Sequence, residues 1–303
     1  MSNSIIVTDV GPRDGLQNQP RILSVDERLH LIAEIAAAGV GSIEVGSFVS
    51  PKAVPAMAGT DDVMRQLAGD SPIHYTALIP NMKGYELAHA AGARSVTMVL
   101  YASEGMARKN VNMSMAEAEA VTADILARAR QDNIEVIAVI SVAFACPFDG
   151  VTDPAVVRAV AAKFLSLGAD QIVIADTIGA GNPQQVRSLT ADLVRDHGAQ
   201  RLGCHFHDTR ALGLANVFAA VESGIRRFDA SIAGLGGCPF APGASGNVAT
   251  EDVVMMLEQM GFDTGIDLGA LLRASDLAEE LTGTAPGGRC KPWLKPWLAK
   301  QTG

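Results

Sequence analysis

The sequence has little positive charge. Its 303 residues include 24 Lys and Arg against 33 Asp and Glu, which gives a formal net charge of −9. Nucleic acid and anionic membrane surfaces bind proteins through concentrated positive charge, so this composition argues against both as partners. No apolar run reaches the ~18 residues that a membrane-spanning helix requires.

Cysteines and aromatic residues are also few. The four cysteines form no CxxC pair and no regular spacing, so we expect no disulfide framework and a reducing, cytoplasmic location. Only four residues precede the first predicted strand, so we expect no signal or transit peptide. Aromatic residues make up 5% of the chain and hydrophobic residues 48%. Small aliphatic side chains therefore fill the core, as is typical of parallel strands buried on both faces.

The chain is rich in short β-branched runs that alternate with longer Ala- and Leu-rich amphipathic stretches. The predicted strands are residues 5–9, 42–45, 73–78, 95–101, 134–142, 171–175, 201–206 and 228–232. Eight strand-then-helix units predict an α/β fold of the (β/α)8 TIM-barrel class. A doubly wound open sheet is the alternative, but the turn after the first strand, GPRDGLQN, is not the G-x-G-x-x-G phosphate turn.

No linker rich in Ser, Gly or Pro divides the chain. We therefore expect a single catalytic domain over residues 1–303, with the barrel at about 5–262 and a C-terminal helix and tail at about 267–303. The tail contains KPWLKPWLAK and Cys290, which could be a redox-sensitive thiol or an ordinary surface cysteine.

The motif CHFHDT places His205 and His207 two residues apart at the end of the seventh predicted strand. Side chains with this spacing on a strand point to one face, and in a barrel that face is the interior at the catalytic rim. Two imidazoles there could share a metal ion, although an isolated H-x-H pair also occurs without one.

Charged residues follow other predicted strands. Arg13 and Asp14 lie in a glycine-flanked loop after the first strand. Asp14 could bind the metal, and Arg13 could face developing negative charge; a solvated turn is the alternative. Glu44 and Asp176, at the ends of two further strands, could orient these groups or form structural pairs.

The segment GLGGCPFAPGASGN, residues 234–247, predicts a long loop after the last strand that could act as a lid. Within it, Cys238 is either a surface thiol or a general acid/base. Asn247 is either a metal ligand through its amide oxygen or the N-cap of the next helix. Two His, one Asp and an amide suit Mg²⁺ or Mn²⁺, and Zn²⁺ or Co²⁺ could also occupy such a site.

The segment DVGPRDGLQNQP resembles the signature of 3-hydroxy-3-methylglutaryl-CoA lyases, in the metal-dependent barrel group that includes isopropylmalate and homocitrate synthases. The resemblance continues through SIEVGSFVSPKAVPAMAG, KNVNMS, ACPFDG, ADTIGAGNP, HFHDT and GLGGCPFAPGASGN. It implies metal ligation by Asp14, His205, His207 and Asn247, stabilisation of an enolate by Arg13, acid/base chemistry at Cys238, and support from Glu44 and Asp176.

The implied activity is a divalent-metal-dependent retro-Claisen cleavage of an acyl-CoA. A 3-hydroxy-3-methylglutaryl-CoA-type substrate gives acetyl-CoA and a keto acid, acetoacetate in the parent reaction. The resemblance also suggests a homodimer. The sequence departs from the family pattern at Pro20, at Val139 in place of Tyr, and at Arg210-Ala211 in place of Tyr-Gly. The alternatives are therefore a lyase for a related substrate, such as citramalyl-CoA, which yields pyruvate, and a Claisen-type synthase.

Three other functions are disfavoured by the residues present. A Schiff-base aldolase needs a Lys in the barrel, and no predicted strand contains one. A serine hydrolase is disfavoured because GASGN is not G-x-S-x-G. A non-catalytic scaffold predicts a broken set of ligands, whereas every expected ligand is present.

Overall fold

A closed barrel of eight parallel strands forms the centre of the computed structural model, which describes residues 3–237, 246–284 and 288–300. The strands follow one another around the barrel in sequence order. They are β1 (Ile6–Asp9), β2 (Ser42–Ser47), β3 (His74–Leu78), β4 (Ser95–Tyr101), β5 (Glu135–Ser141), β6 (Gln171–Asp176), β7 (Leu202–Phe206) and β8 (Arg227–Ala230).

The barrel closes where β1 pairs in parallel with β8, from Ile6 opposite Arg227 to Asp9 opposite Ala230. The predicted (β/α)8 class is confirmed, and the strand bounds differ by one or two residues. β8 ends earlier than predicted because the chain turns into a 3-10 helix at Ile232–Gly234, with Ala233 at φ 56°.

A layer of helices surrounds the barrel. They are α1 (Val25–Ala37), α2 (Thr60–Leu67), α3 (Met82–Ala90), α4 (Glu104–Val111), α5 (Met115–Asp132), α6 (Pro154–Leu167), α7 (Pro183–His197), α8 (Gly213–Glu222), α9 (Thr250–Gln259), α10 (Leu268–Thr282) and α11 (Lys291–Ala299).

Capping boxes fix the starts of α1 and α5, because the side chains of Ser24 and Ser114 each accept a hydrogen bond from the backbone amide three residues later. Gly168 ends α6 at φ 103°, a conformation that favours glycine.

The main core lies between the barrel and these helices. Leu100, Ala138 and Ile140 face outward from β4 and β5 and are fully buried. One continuous hydrophobic cluster runs from Ile5 to Ala278, so α10 shares the core of the barrel. Among the described residues, no helix is long and apolar enough to cross a membrane.

Two acidic residues at the start of α9 hold the C-terminal tail against the barrel. The Gly288 amide donates to Glu251 at 3.0 Å, and the Arg289 and Cys290 amides donate to Asp252, each at 2.8 Å. Cys290 is partly buried, and burial, aided by Asp252, raises the pKa of its thiol. The tail is therefore a built part of the fold, and its cysteine is held in the less reactive protonated form.

The tail ends in α11, a helix that the sequence pattern did not predict, because Pro296 lies in its interior. Lys291 Nζ fastens this helix to α10 through Asp276 at 3.0 Å and Glu279 at 2.6 Å. Tertiary ion pairs thus stabilise a segment whose local sequence disfavours a helix.

Candidate active site

The expected site residues of β1 lie in a π-helical turn, Gly11–Gly15, directly after the strand. The turn packs against the chain that follows β8. A Cβ at Gly11 would lie 2.7 Å from Ile232 Cγ2, and a Cβ at Gly15 would lie 2.8 Å from Ser231 Oγ. The two glycines therefore allow the close approach that brings Arg13 and Asp14 to the rim of the barrel.

Asp14, His205 and His207 come together in one buried cluster at this rim. It is called the metal cluster below, because the three side chains are placed to hold one metal ion. Their ligand atoms all lie within 4.8 Å of one another. The Nε2 atoms of the two imidazoles are 3.1 Å apart, and His207 Nε2 is 4.0 Å from Asp14 Oδ2. Both rings thus turn the same nitrogen toward the Asp14 carboxylate, as ligands of one ion would.

Asn247 completes this cluster. Its backbone pairs with His207 in an isolated antiparallel bridge, and its Nδ2 donates to Asp14 Oδ2 at 2.7 Å and to the Leu235 carbonyl at 3.1 Å. Its Oδ1 is buried and has no hydrogen-bond partner within the described ranges. Asn247 is not a helix N-cap, because α9 begins at Thr250 with Ala249 in the cap position.

The electrostatics of the cluster suit a divalent cation. Burial acts to raise the pKa of Asp14, but Arg13, His205 and His207 together lower it to about 2. Burial, with the neighbouring His205, lowers the pKa of His207 to about 4. An ionised carboxylate, a neutral imidazole and the unpaired Oδ1 of Asn247 are the forms in which these groups bind metal, so the residues present fit such an ion.

Arg13 is held between two carboxylates. Its Nε donates to Glu44 Oε2 and its Nη1 lies 2.6 Å from Asp14 Oδ1, which also accepts from Gln17 Nε2 at 3.0 Å. Burial acts to lower the pKa of Arg13, but Glu44 and Asp14 raise it overall. The guanidinium is thus a fixed cation beside the metal cluster.

Asp176 stands apart from this arrangement. Both carboxylate oxygens of Asp176 accept backbone amides, from Ala180 at 2.8 Å and Gly181 at 2.9 Å, so Asp176 shapes the loop after β6. Cys238 lies outside the described residues; the preceding Gly237 lines the same cavity as the metal cluster.

Sequence reasoning missed one residue of the site, Asp229 on β8. Its Oδ2 lies 3.3 Å from Nδ1 of His205, and the two residues are register partners on adjacent strands. A carboxylate in this position fixes the orientation of a metal-binding imidazole and leaves Nε2 for the ion. The available signal was a single acidic residue inside an otherwise uncharged predicted strand that follows the histidine strand.

The cluster opens into a cavity of about 450 Å³, within the usual size range of small-molecule sites. Arg13, Glu44 and Asp229 line it on one side. Aliphatic residues of β4, β5 and β6 line it on the other. The site therefore combines a charged wall with an apolar wall.

The HMGL-like family model matches residues 4–278. The chain belongs to the HMGL-like family. It is 44% identical over 286 residues to the hydroxymethylglutaryl-CoA lyase of Pseudomonas mevalonii, with 94% of this chain and 95% of that protein covered. It is also 44% identical over 283 residues to the (R)-citramalyl-CoA lyase of Chloroflexus aurantiacus, covering 90% of this chain and 89% of the other.

A solved structure agrees with this assignment. The hydroxymethylglutaryl-CoA lyase of Pseudomonas aeruginosa superposes with a TM-score of 0.93 at 39% identity, covering 99% of both chains. The match of the HMGL-like model runs from β1 into α10, so it includes every described residue of the metal cluster, Asp229 and Arg13.

Proposed function

We propose that this HMGL-like chain is a divalent-metal-dependent carbon–carbon lyase. Its reaction is the retro-Claisen cleavage of a 3-hydroxy-3-methylglutaryl-CoA-type substrate to acetyl-CoA and a keto acid, which is acetoacetate for the methyl substrate. The observation that carries the proposal is the buried Asp14–His205–His207 cluster, which faces the cavity together with the fixed cation Arg13.

The residues that would hold the cation are Asp14, His205, His207 and Asn247 through Oδ1. Mg²⁺ or Mn²⁺ is the proposed ion, because half of the donors are hard oxygens. When bound, the ion polarises substrate oxygens and makes the C3 hydroxyl more acidic. Asp229 keeps the His205 ring in place through the contact at 3.3 Å.

The chain's own residues supply what bond cleavage then requires. The C3 hydroxyl gives its proton to Cys238 acting as a base, C3 becomes a carbonyl carbon, and the electron pair of the C2–C3 bond stays on C2 as a thioester enolate. Arg13, anchored by Glu44, is the cation placed to stabilise that charge. We assign to Cys238 the delivery of a proton to the enolate carbon. Asp176 supports the site by holding the loop after β6.

An assay of acetyl-CoA release tests the proposal. The purified chain is given 3-hydroxy-3-methylglutaryl-CoA with Mg²⁺, with Mn²⁺ or with EDTA, and citramalyl-CoA in parallel. Citramalyl-CoA is the second candidate substrate because a lyase of that name is 44% identical to this chain. Metal-dependent release from either supports the lyase; release from neither, with acyl-CoA formed in the condensation direction, supports a synthase instead.

Two variants test the site itself. His207→Ala removes one ligand, and we expect it to abolish both turnover and the rise in Tm that Mn²⁺ produces in the native chain. An unchanged Mn²⁺-induced rise refutes the ligand assignment without reference to activity. Cys238→Ala should abolish turnover and leave the Kd for a CoA thioester close to that of the native chain.

We also propose that residues 1–303 act as one catalytic domain in a cytoplasmic homodimer. Support for one domain comes from α10, which shares the barrel core. The unpaired thiols of Cys146, Cys204 and Cys290 support the compartment. The stacked, exposed Trp293 and Trp297 of α11 support a dimer, since such patches often mark interfaces. Light scattering of the full chain, with a Trp293→Ser variant, measures the dimer.

A further inference from the structure

The lumen of the barrel is open below the metal cluster, whereas the lumen of a (β/α)8 barrel is ordinarily filled with side chains. Val99 on β4 and Ile137 and Val139 on β5 line the cavity and are partly exposed. Their neighbours Leu100 and Ala138, which face the helices, are fully buried. β4 and β5 are therefore more exposed inside the barrel than outside it.

Strand register shows how these residues lie relative to the site. His205 of the metal cluster pairs with Ala175 on β6, and Val173 faces the same way two residues earlier. Val173 pairs with Val139, and Val139 pairs with Val99. An arc of valines therefore covers the same inner surface as His205, one step deeper in the barrel.

This apolar arc, with Ile137 below it, is referred to as the lumen patch: Val99, Ile137, Val139 and Val173. Along β5, the cavity extends from Ser141 at the rim to Ile137, about 13 Å at ~3.3 Å per residue. Its deep end is lined by the polar side chains of Thr76, Thr97 and Gln171, and the hydroxyl oxygens of the two threonines lie 3.1 Å apart. The lumen patch thus forms the apolar wall of a slot in the barrel, and the slot has a polar floor. This slot is far deeper than a methyl group needs.

We propose that this slot receives an apolar substituent of several carbons on C3 of the acyl chain. The preferred substrates are then 3-hydroxyacyl-CoA thioesters whose C3 substituent is a linear or branched alkyl or alkenyl chain longer than methyl. This inference rests on the proposed lyase function and specifies its substrate class. The hydroxyl that the metal cluster would bind is also on C3, so the substituent starts beside His205 and extends over Val173 and Val139.

The rest of the apolar lining does not offer the same place. Val49, Val54 and Ile79 lie on the loops after β2 and β3, at the rim, and Met106, Met113 and Val121 lie on or beside α4 and α5. Below the rim, an apolar substituent can displace water from the aliphatic side chains of the lumen patch. Such burial is favourable by about fourfold in binding per methylene group.

The test is a series of 3-hydroxy-3-alkylglutaryl-CoA substrates with methyl, propyl, pentyl and heptyl substituents. We expect kcat/KM to rise by about fourfold per methylene until the chain meets Thr76 and Thr97. Val139→Phe fills the slot and should lower kcat/KM for the pentyl substrate at least tenfold more than kcat/KM for the methyl substrate. Val139→Ala widens the slot and should move the optimum to a longer chain.

Ile140→Val is the matched control, because Ile140 lies on the helix-facing side of β5 and is fully buried. It should leave the order of substrates unchanged. If Val139→Phe does not fold, as judged by its Tm, Val139→Ala carries the test. A native series that is flat or falls beyond methyl overturns the inference and leaves the lyase intact. No turnover of any member, methyl included, overturns the inference, and together with no acetyl-CoA release from citramalyl-CoA it overturns the proposed lyase function as well.

Discussion

Oδ2 of Asp229 lies 3.3 Å from Nδ1 of His205, on the side of the ring away from the metal cluster. This contact, with burial opposing it, contributes to the raised pKa of His205 and fixes which ring nitrogen faces the cavity. The pair links β7 to β8 at the point where both strands reach the site. The ring of His205, a proposed metal ligand, is thus positioned by a carboxylate on the neighbouring strand.

We expect Asp229→Asn to weaken Mn²⁺ binding by about 10–100-fold, because the amide carries no charge to polarise the imidazole. Isothermal titration of Mn²⁺ into the native and variant chains measures the difference. Asp124→Asn, at an exposed position on α5, controls for the loss of one negative charge. Equal Mn²⁺ affinity in all three proteins would show that Asp229 has no such role.

Arg13→Lys keeps the positive charge but loses the planar group that contacts Glu44 and Asp14 through separate nitrogens. We expect kcat to fall by about 10²–10³-fold with little change in KM, as for the loss of one preorganised donor to an oxyanion. Steady-state kinetics on the substrate that the panel selects provides the measurement. The exposed Arg65→Lys change on α2 should leave both constants unchanged, and native kcat in the Arg13→Lys variant would contradict the assignment.

Ala211 occupies a left-handed conformation, φ 57°, where the family pattern has glycine. An L-residue with a Cβ is disfavoured there by about 1–2 kcal/mol. We therefore expect Ala211→Gly to stabilise the chain by about 0.5–1 kcal/mol after the greater chain entropy of glycine is included. Calorimetry should show a Tm higher by ~1–3 °C. Ala123→Gly, inside α5, should lower Tm instead, and two changes of the same sign would refute the strain at Ala211.

Asp9 should make stability fall as pH rises. Burial raises its pKa to about 7, although Thr250 and the Gly11 amide donate to its carboxylate. Because this folded value lies above the usual 3.8, the contribution of Asp9 is fully present below pH ~4 and is lost as pH rises through 7. The expected loss by pH 8 is on the order of a few kcal/mol.

Asp9→Asn removes that titration and can keep both hydrogen bonds, since an amide both accepts and donates. The variant should therefore gain in Tm over the native chain between pH 5 and pH 8. Differential scanning calorimetry across this range measures the gain, with Asp124→Asn as the control. If the difference in Tm between the Asp9→Asn variant and the native chain does not change with pH, Asp9 is ionised throughout this range.

The fold was predictable from sequence because each strand carries its own local signal. β4 was predicted with the bounds that the structure gives, Ser95–Tyr101, since its apolar run is bounded on both sides by polar and helical patterns. The helix α11 was not predictable, because Pro296 opposes it locally and it is stabilised by ion pairs from Lys291 to α10. Local pattern carries no information about such partners.

The candidate site likewise has a part that the sequence predicts and a part that depends on tertiary contacts. The convergence of Asp14, His205 and His207 follows from their positions at strand ends, which a parallel barrel brings to one rim. The role of Asp229 depends on register between strands, and the free oxygen of Asn247 depends on where Leu235 and Asp14 place its amide. The open lumen at Val139 depends on which neighbours fail to fill it. None of these can be read from spacing along the chain.

The pairing of Ile6 with Arg227 also sets when the protein can become functional during synthesis. A ribosome must deliver β8 before the barrel can close, and Asn247 follows later still. The first 200 residues contain only Asp14 of the four proposed metal ligands, so a nascent chain of that length lacks most of the proposed site. On this assignment, capture of the ion is a late event that only a finished barrel allows.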